Sequence, residues 1–354
     1  MSQFRRTFLS TSLSGVATAT LIATTQHTAK SDPPNLEKLS TEITNAFAQL
    51  PGQKGLKLLI PALRKQPDWS FSINPDTVLV CASAFKVFVL AEALRQVEAS
   101  LNPEEQKPLV DQLEEKLALL ELVLDESVYT IGSDVFNPPD LSGKVLLKTV
   151  LQAMMLSSDN TATDMALKFV NPDRVRQFLH QIGLQNTRIP DSTRQFGAYV
   201  LGYPQWQTIT WAQLLELLQN NPYEPRPPLN NDITFASTAS DFVSFYSRTL
   251  QGQFFNYAET LDRFKAILSI SDSFPLKDSW RSQPLGMNVF MKHGWGQGIL
   301  CRAGGLWLPA AKRWLYFSMT LNWDSPEPLE QVQPRFLNTA NQVFVWIRDV
   351  LDCQ

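Results

Sequence analysis

The sequence predicts an α+β protein, an antiparallel sheet flanked by N- and C-terminal helices with an all-helical domain inserted between the two halves of the sheet layer. Three observations carry this. Strand-like runs gather at the two ends of the chain: Leu56–Ile60 and Trp69–Ile73 early, then Asn288–Trp295, Ile299–Pro309 and Arg313–Trp323 late. The intervening segment from Glu92 to Leu184 reads as almost wholly helical. Outside the strands, amphipathic patterns over about Leu36–Leu50 and Glu330–Leu351 offer two apolar faces for one side of the sheet. The α/β part is therefore expected over residues 35–82 and 270–354, and the helical part over 83–269.

Each element has a local reason. Pro51-Gly52 ends the first helix, and polar turn residues separate the first two strands. Val78–Cys81 is a short apolar link into an apolar run, Ala82–Leu94, whose lack of a polar face predicts a buried helix. Leu109–Val123 and Leu141–Leu156 read as helices separated by Pro138-Pro139, and Asp173–Ile182 as another, ending at Gly183. From Ile189 the pattern predicts an irregular stretch. It holds a helix over Thr210–Leu218 and a proline-rich loop over Asn221–Asn231, before helices over Thr234–Leu250 and Tyr257–Leu268. Ala310-Ala311-Lys312 makes the turn between the last two strands.

The 354 residues are 44 % apolar and 18 % charged, with a net charge of −3. That composition suits a globular fold with a substantial core and gives no electrostatic case for nucleic acid or a membrane surface. Cys81, Cys301 and Cys353 form no disulfide framework and no pair with metal-ligand spacing. The three histidines, His27, His180 and His293, supply Ser-His-Asp or zinc chemistry poorly, and His180 reads as structural. No cofactor or metal is expected.

The first 30 residues read as an export signal. Arg5-Arg6-Thr7-Phe8-Leu9 precedes a mild apolar stretch, Leu13–Thr24, too short and polar to span a membrane. The pair resembles the twin-arginine signal type, with Phe4 where a Ser or Thr is usual. Cleavage is expected between about Ala23 and Lys30, leaving residues 31–354 as an exported, periplasmic or extracytoplasmic monomer with no stable membrane insertion.

Three short patterns carry candidate chemistry. Ser83 and Lys86 stand three apart in the buried helix, so hydroxyl and amine share a face. Burial disfavours the charged lysine and lets it serve as the base a weak alcohol nucleophile needs. The helix N-terminus offers backbone N–H groups to an oxyanion. Alone, the pair also fits an N-cap serine followed by a snorkelling lysine. Downstream, Ser158-Asp159-Asn160 suits a loop between helices: Asp159 can cap the next helix, Ser158 can pass a proton to a leaving group, and Asn160 can hold a substrate amide. Lys292-His293-Gly294-Trp295 ends a strand, with Lys292 as a fixed positive charge for a carboxylate and Gly294 permitting close backbone approach. The Trp295 N–H can complete an oxyanion hole with that of Ser83.

Together, Ser83-x-x-Lys86, Ser158-Asp159-Asn160 and Lys292-x-Gly294 resemble the motif set of the class A β-lactamases and penicillin-binding proteins, over about residues 35–352. The resemblance implies a serine hydrolase that forms an acyl-enzyme. Ser83 would be the nucleophile, Lys86 its base or proton relay and Ser158 the proton shuttle. Asn160 would bind the side-chain amide. Lys292 and the Gly294-Trp295 backbone would bind the carboxylate and line the oxyanion hole. The implied partner is a small-molecule β-lactam or a cell-wall peptide; a D,D-peptidase, an esterase and a non-catalytic binder on the same scaffold are the alternatives.

Two departures bear on mechanism. His293 and Trp295 stand where the family usually has hydroxyl residues. The class A Glu-x-x-Leu-Asn element, whose glutamate activates the deacylating water, has Thr193 about where the glutamate belongs, and Glu224 in a later loop is a displaced candidate. The sequence therefore equips acylation and leaves deacylation without a placed base.

Overall fold

A computed structural model describes residues 36–63, 68–270, 288–309 and 311–352. The expected export segment lies outside the described residues. Among the described residues the sheet is five-stranded and antiparallel, built from β1 (Gln53–Ile60), β2 (Trp69–Ile73), β7 (Asn288–Gly296), β8 (Ile299–Leu308) and β9 (Arg313–Asn322). Its order is β2-β1-β9-β8-β7, so chain ends far apart in sequence meet at β1 and β9, and β7 is an edge.

Alternation along each strand gives the sheet two buried faces. Leu56, Leu58, Leu300, Leu306, Phe317 and Met319 meet α1 (Leu36–Ala48) and the C-terminal helix α11 (Leu329–Asp352) in one core cluster. In α1 the buried residues are Leu39, Ile43 and Phe47, one helical stripe. Phe290, Cys301, Ala303 and Tyr316 point the other way, into a second cluster made mostly of helices. At the centre of that cluster is α2 (Lys86–Glu98), buried nearly all round. Phe88 packs between Phe242 and Phe245, at ring centroid distances of 5.3 and 4.7 Å. Both rings come from α9 (Ala239–Thr249).

The expected elements are present, with four corrections. The helix expected over Leu109–Val123 is α3, Leu109–Leu119, and Glu121–Leu124 is strand β4. The helix expected from Leu141 begins at Leu147 as α4 (Leu147–Leu156), because Gly143–Leu146 is β5, paired with β4. Gly143 has φ +115°, which no helix accepts. The irregular stretch after Ile189 contains a helix, α7 (Thr193–Val200), started by Ser192, whose hydroxyl accepts from the N–H of Gln195. The helix expected from Thr234 begins at Ala239 under a Thr238 cap, and Ala236–Ser237 forms β6 against β3 (Leu79–Val80). The helical body adds α5 (Asn160–Val170), α6 (Pro172–Gln181), α8 (Trp211–Gln219) and α10 (Ala258–Ile270). Among the described residues no helix is long and apolar enough to cross a membrane.

Because α2 carries the centre of the helical cluster, truncating Phe88 removes a fully buried ring that neighbouring helices cannot replace. Phe88→Ala is expected to lower the unfolding free energy by about 3–5 kcal/mol, read from urea denaturation; a loss under about 1 kcal/mol contradicts this packing.

Candidate active site

Ser83 lies in a 3-10 helix, Ala82–Phe85, and Lys86 opens α2 directly behind it. The expectation of a shared first α-helical turn is therefore corrected, although hydroxyl and amine stay three residues apart at one corner. The corner is strained: Ala82 has φ +45°, a left-handed conformation costing a residue with a Cβ about 1–2 kcal/mol. Its neighbours impose it. Cys81 N–H donates to Phe235 O at 3.1 Å, and Ala84 N–H to Cys81 O at 3.2 Å. On the open side β7 presses in: a Cβ at Gly294 would overlap Cys81 O and lie 2.8 Å from the backbone nitrogens of Ser83 and Ala84. Glycine there is a steric requirement, and it brings the edge strand against the Ser83 N–H.

Lys86 is fully buried. Its Nζ is 2.6 Å from Ser158 O, 3.2 Å from Ser158 Oγ and 2.8 Å from Asn160 Oδ1. Burial pushes its pKa well below the usual lysine range, and Lys292 pushes the same way; Asp159 and Asp164 pull back. Nζ donates to all three oxygens, the Ser158 carbonyl, the Ser158 hydroxyl and the Asn160 amide oxygen, so the buried amine is fully partnered.

Asp159 fixes that geometry. It is fully buried, and its Oδ1 accepts from Ala162 N–H at 2.7 Å, capping α5. Its Oδ2 accepts from the N–H groups of Val135 and Phe136 at 2.9 and 3.0 Å. Ser158, before it, is held at φ +58°. Asn160, after it, donates from Nδ2 to Ile131 O at 2.9 Å while its oxygen holds Lys86. The amide keeps a second N–H for another acceptor.

Lys292 is buried close enough to Lys86 to depress its pKa, so two lysine side chains meet at one buried junction. Alternation puts Lys292 and Gly294 on the Phe290 face of β7, toward the helical body, and His293 and Trp295 on the Met291 face. Trp295 is 43 % exposed. The structure thus gathers Ser83, Lys86, Ser158, Asn160, Lys292 and Gly294 at one junction, with Trp295 on the edge strand beside it. Glu224 is not brought there. Its side chain is exposed, and its carbonyl packs on Gly202, past the end of α7 opposite Thr193. His180 lies on the exposed surface of α6.

One further position escaped the sequence reading. Asp164 is buried on α5, one helical turn beyond Asn160 and on the same face. Its Oδ1 accepts from Thr193 N–H at 2.6 Å and its Oδ2 from Arg194 N–H at 3.2 Å. The Arg194 guanidinium is pinned in turn by the carbonyls of Glu126, Ser127 and Tyr129. The i, i+4 spacing from Asn160 was the available signal.

The model of the β-lactamase enzyme family matches residues 38–333 of this sequence. The chain belongs to the β-lactamase enzyme family. Solved structures of the same fold agree. The chromosome-encoded β-lactamase of Vibrio parahaemolyticus is 19 % identical, covering 86 % of this chain and 97 % of its own, with a TM-score of 0.61. The class A β-lactamase of Mycobacterium abscessus is 15 % identical, covering 86 % and 98 %, TM-score 0.61. PBP-A is 16 % identical, covering 91 % and 99 %, TM-score 0.60. No curated protein matches the chain by sequence. At these identities the neighbours establish the β-lactamase fold, and the site rests on its own geometry.

Two predictions follow from that geometry. Gly294→Ala must separate β7 from the 3-10 helix of this β-lactamase-family chain, costing about 1–3 kcal/mol of stability by overpacking. Thermal melting reads the cost; an unshifted midpoint contradicts the close approach. Burial pushes the Asp164 carboxyl up to about 6, against hydrogen bonds from Thr193 and Arg194. A raised folded pKa means tighter proton binding when folded. This group's stabilisation is therefore complete below its ordinary value of 3.8 and lost as pH rises through about 6, roughly 3 kcal/mol in all. Asp164→Asn is expected to flatten that segment of the stability–pH curve measured by urea midpoints; an unchanged slope contradicts the shift.

Proposed function

We propose that the chain is an exported serine hydrolase of the class A β-lactamase type, acylated at Ser83 by β-lactams and hydrolysing the lactam amide. The observation that carries the reading is Lys86: a buried amine with a depressed pKa, held by Ser158 and Asn160 three residues from a serine hydroxyl. A pure binder has no need of a base beside the serine.

The steps follow from the residues. Neutral Lys86 takes the Ser83 proton, directly or through the Ser158 hydroxyl, and Ser83 Oγ attacks the lactam carbonyl. The N–H groups of Ser83 and Trp295, on facing backbones where Gly294 permits contact, receive the oxyanion. Ser158 delivers a proton to the lactam nitrogen as the C–N bond breaks. The remaining Asn160 N–H takes the substrate side-chain carbonyl, and Lys292 the carboxylate. The acyl-enzyme then awaits water. A D,D-peptidase or esterase acting on the same acyl-enzyme is the second reading, favoured by Thr193 at the place of the class A glutamate.

Intact-protein mass after mixing the mature chain with benzylpenicillin tests this. An adduct of one penicillin, or loss of the drug, is expected from the wild type and neither from Ser83→Ala. Lys86→Ala is expected to slow acylation about a hundredfold or more, the range for a lost general base. Drug hydrolysis that survives Ser83→Ala overturns the assignment. A stable wild-type adduct moves the balance to the peptidase reading.

A further inference from the structure

The acyl-enzyme of the proposed function needs a proton acceptor for water, and neither Thr193 nor the distant Glu224 supplies a carboxylate at that point. We infer that Asp164, delivered from α5 rather than from the loop, is the catalytic base for deacylation, with the Thr193 hydroxyl orienting the water. The inference rests on the reading that Ser83 is acylated.

Four observations carry it. Asp164 lies one turn along α5 from Asn160, whose oxygen touches Lys86, and its carboxylate is near enough to Lys86 to pull the amine's pKa back up. Its hydrogen bonds reach Thr193 and Arg194, the segment where the family glutamate belongs. Each carboxylate oxygen spends one lone pair on a backbone N–H and retains another. The Thr193 hydroxyl is buried and set against this carboxylate, so one hydroxyl and one carboxylate stand together in the segment where the family glutamate belongs.

The charged groups acting here are Lys86 from α2 and Arg194 from α7. α4, α6 and β4 meet α5 through core side chains such as Met154, Val175 and Leu124. Burial lifts this carboxyl towards about 6, which makes it a stronger base than an ordinary aspartate while leaving it ionised at neutral pH.

In the step, a water O–H bond breaks and its proton passes to Asp164. The water oxygen bonds to the acyl carbon, forming the oxyanion. On collapse the bond from that carbon to Ser83 Oγ breaks, and Ser83 recovers the proton that Asp164 took. The product is the free acid, and no other reactant is consumed.

The test follows the lifetime of the benzylpenicillin adduct by intact mass in wild type, Asp164→Asn and Thr193→Val, with melting curves to confirm folding. Asp164→Asn is expected still to form the adduct and to clear it at least a hundredfold more slowly. Thr193→Val, which keeps the backbone N–H that Asp164 grips, is expected to clear it about tenfold more slowly and carries the test if Asp164→Asn does not fold. Wild-type deacylation is expected to fall with acid around pH 6, and that limb to vanish in Asp164→Asn. Equal adduct lifetimes in all three proteins, or a wild-type adduct that never clears, overturn the role of Asp164 and leave acylation standing. No adduct and no turnover in any of them overturns acylation and this inference together.

Discussion

One buried amine constrains the site more than any other group. Lys86 sits without solvent in the middle of the helical core, and an unpartnered ammonium there costs several kcal/mol. Its acceptors all come from one short loop, Ser158 and Asn160. That loop therefore has to be rigid, and Asp159 makes it so by capping α5 while gripping the backbone at Val135 and Phe136. The chain just before α2 is held as tightly, for Ala82 and Gly294 accept conformations and contacts that few residues tolerate. Strain at Ala82 and Ser158 persists because several backbone hydrogen bonds over-determine it.

The electrostatics follow from the same placement. Burial disfavours the ammonium, and Lys292 disfavours it further, while Asp159 and Asp164 oppose both. The two carboxylates differ in kind. Asp159 spends its oxygens on three backbone N–H groups and acts as a structural pin. Asp164 accepts two and keeps a carboxyl that burial raises to about 6. Two acidic groups five residues apart on one helix thus serve separate purposes because of what each is buried against.

Much of this was legible in the sequence where the deciding contacts are local. The spacing of Ser83 and Lys86 gives their shared corner, the position of Asp159 gives a cap, and strand alternation gives the two faces of the sheet. What failed depended on partners far along the chain. Glu121–Leu124 is as apolar as the helix before it, and only pairing with Gly143–Leu146 makes it a strand. Asp164 reads as one more polar residue on a helix until Thr193, 29 positions on, offers its N–H. Glu224 matched a family pattern by its text, but chain distance placed it beyond the far end of α7.

The departures in the third motif fall on one side of a geometric divide. Lys292 and Gly294 face the helical body, where charge beside Lys86 and contact with the Ser83 backbone are fixed. His293 and Trp295 alternate to the other face, so replacing their hydroxyls leaves those two relations intact. Their effect falls on the other face of β7, where Trp295 is exposed and β7 is the last strand of the sheet among the described residues. The deepest positions obey packing and burial, which tolerate little change. The edge obeys whatever lies against it, and there this chain carries an aromatic surface in place of a hydroxyl. Divergence in the motif is thus confined to the face turned away from Lys86, separate from whether Ser83 and Lys86 can react.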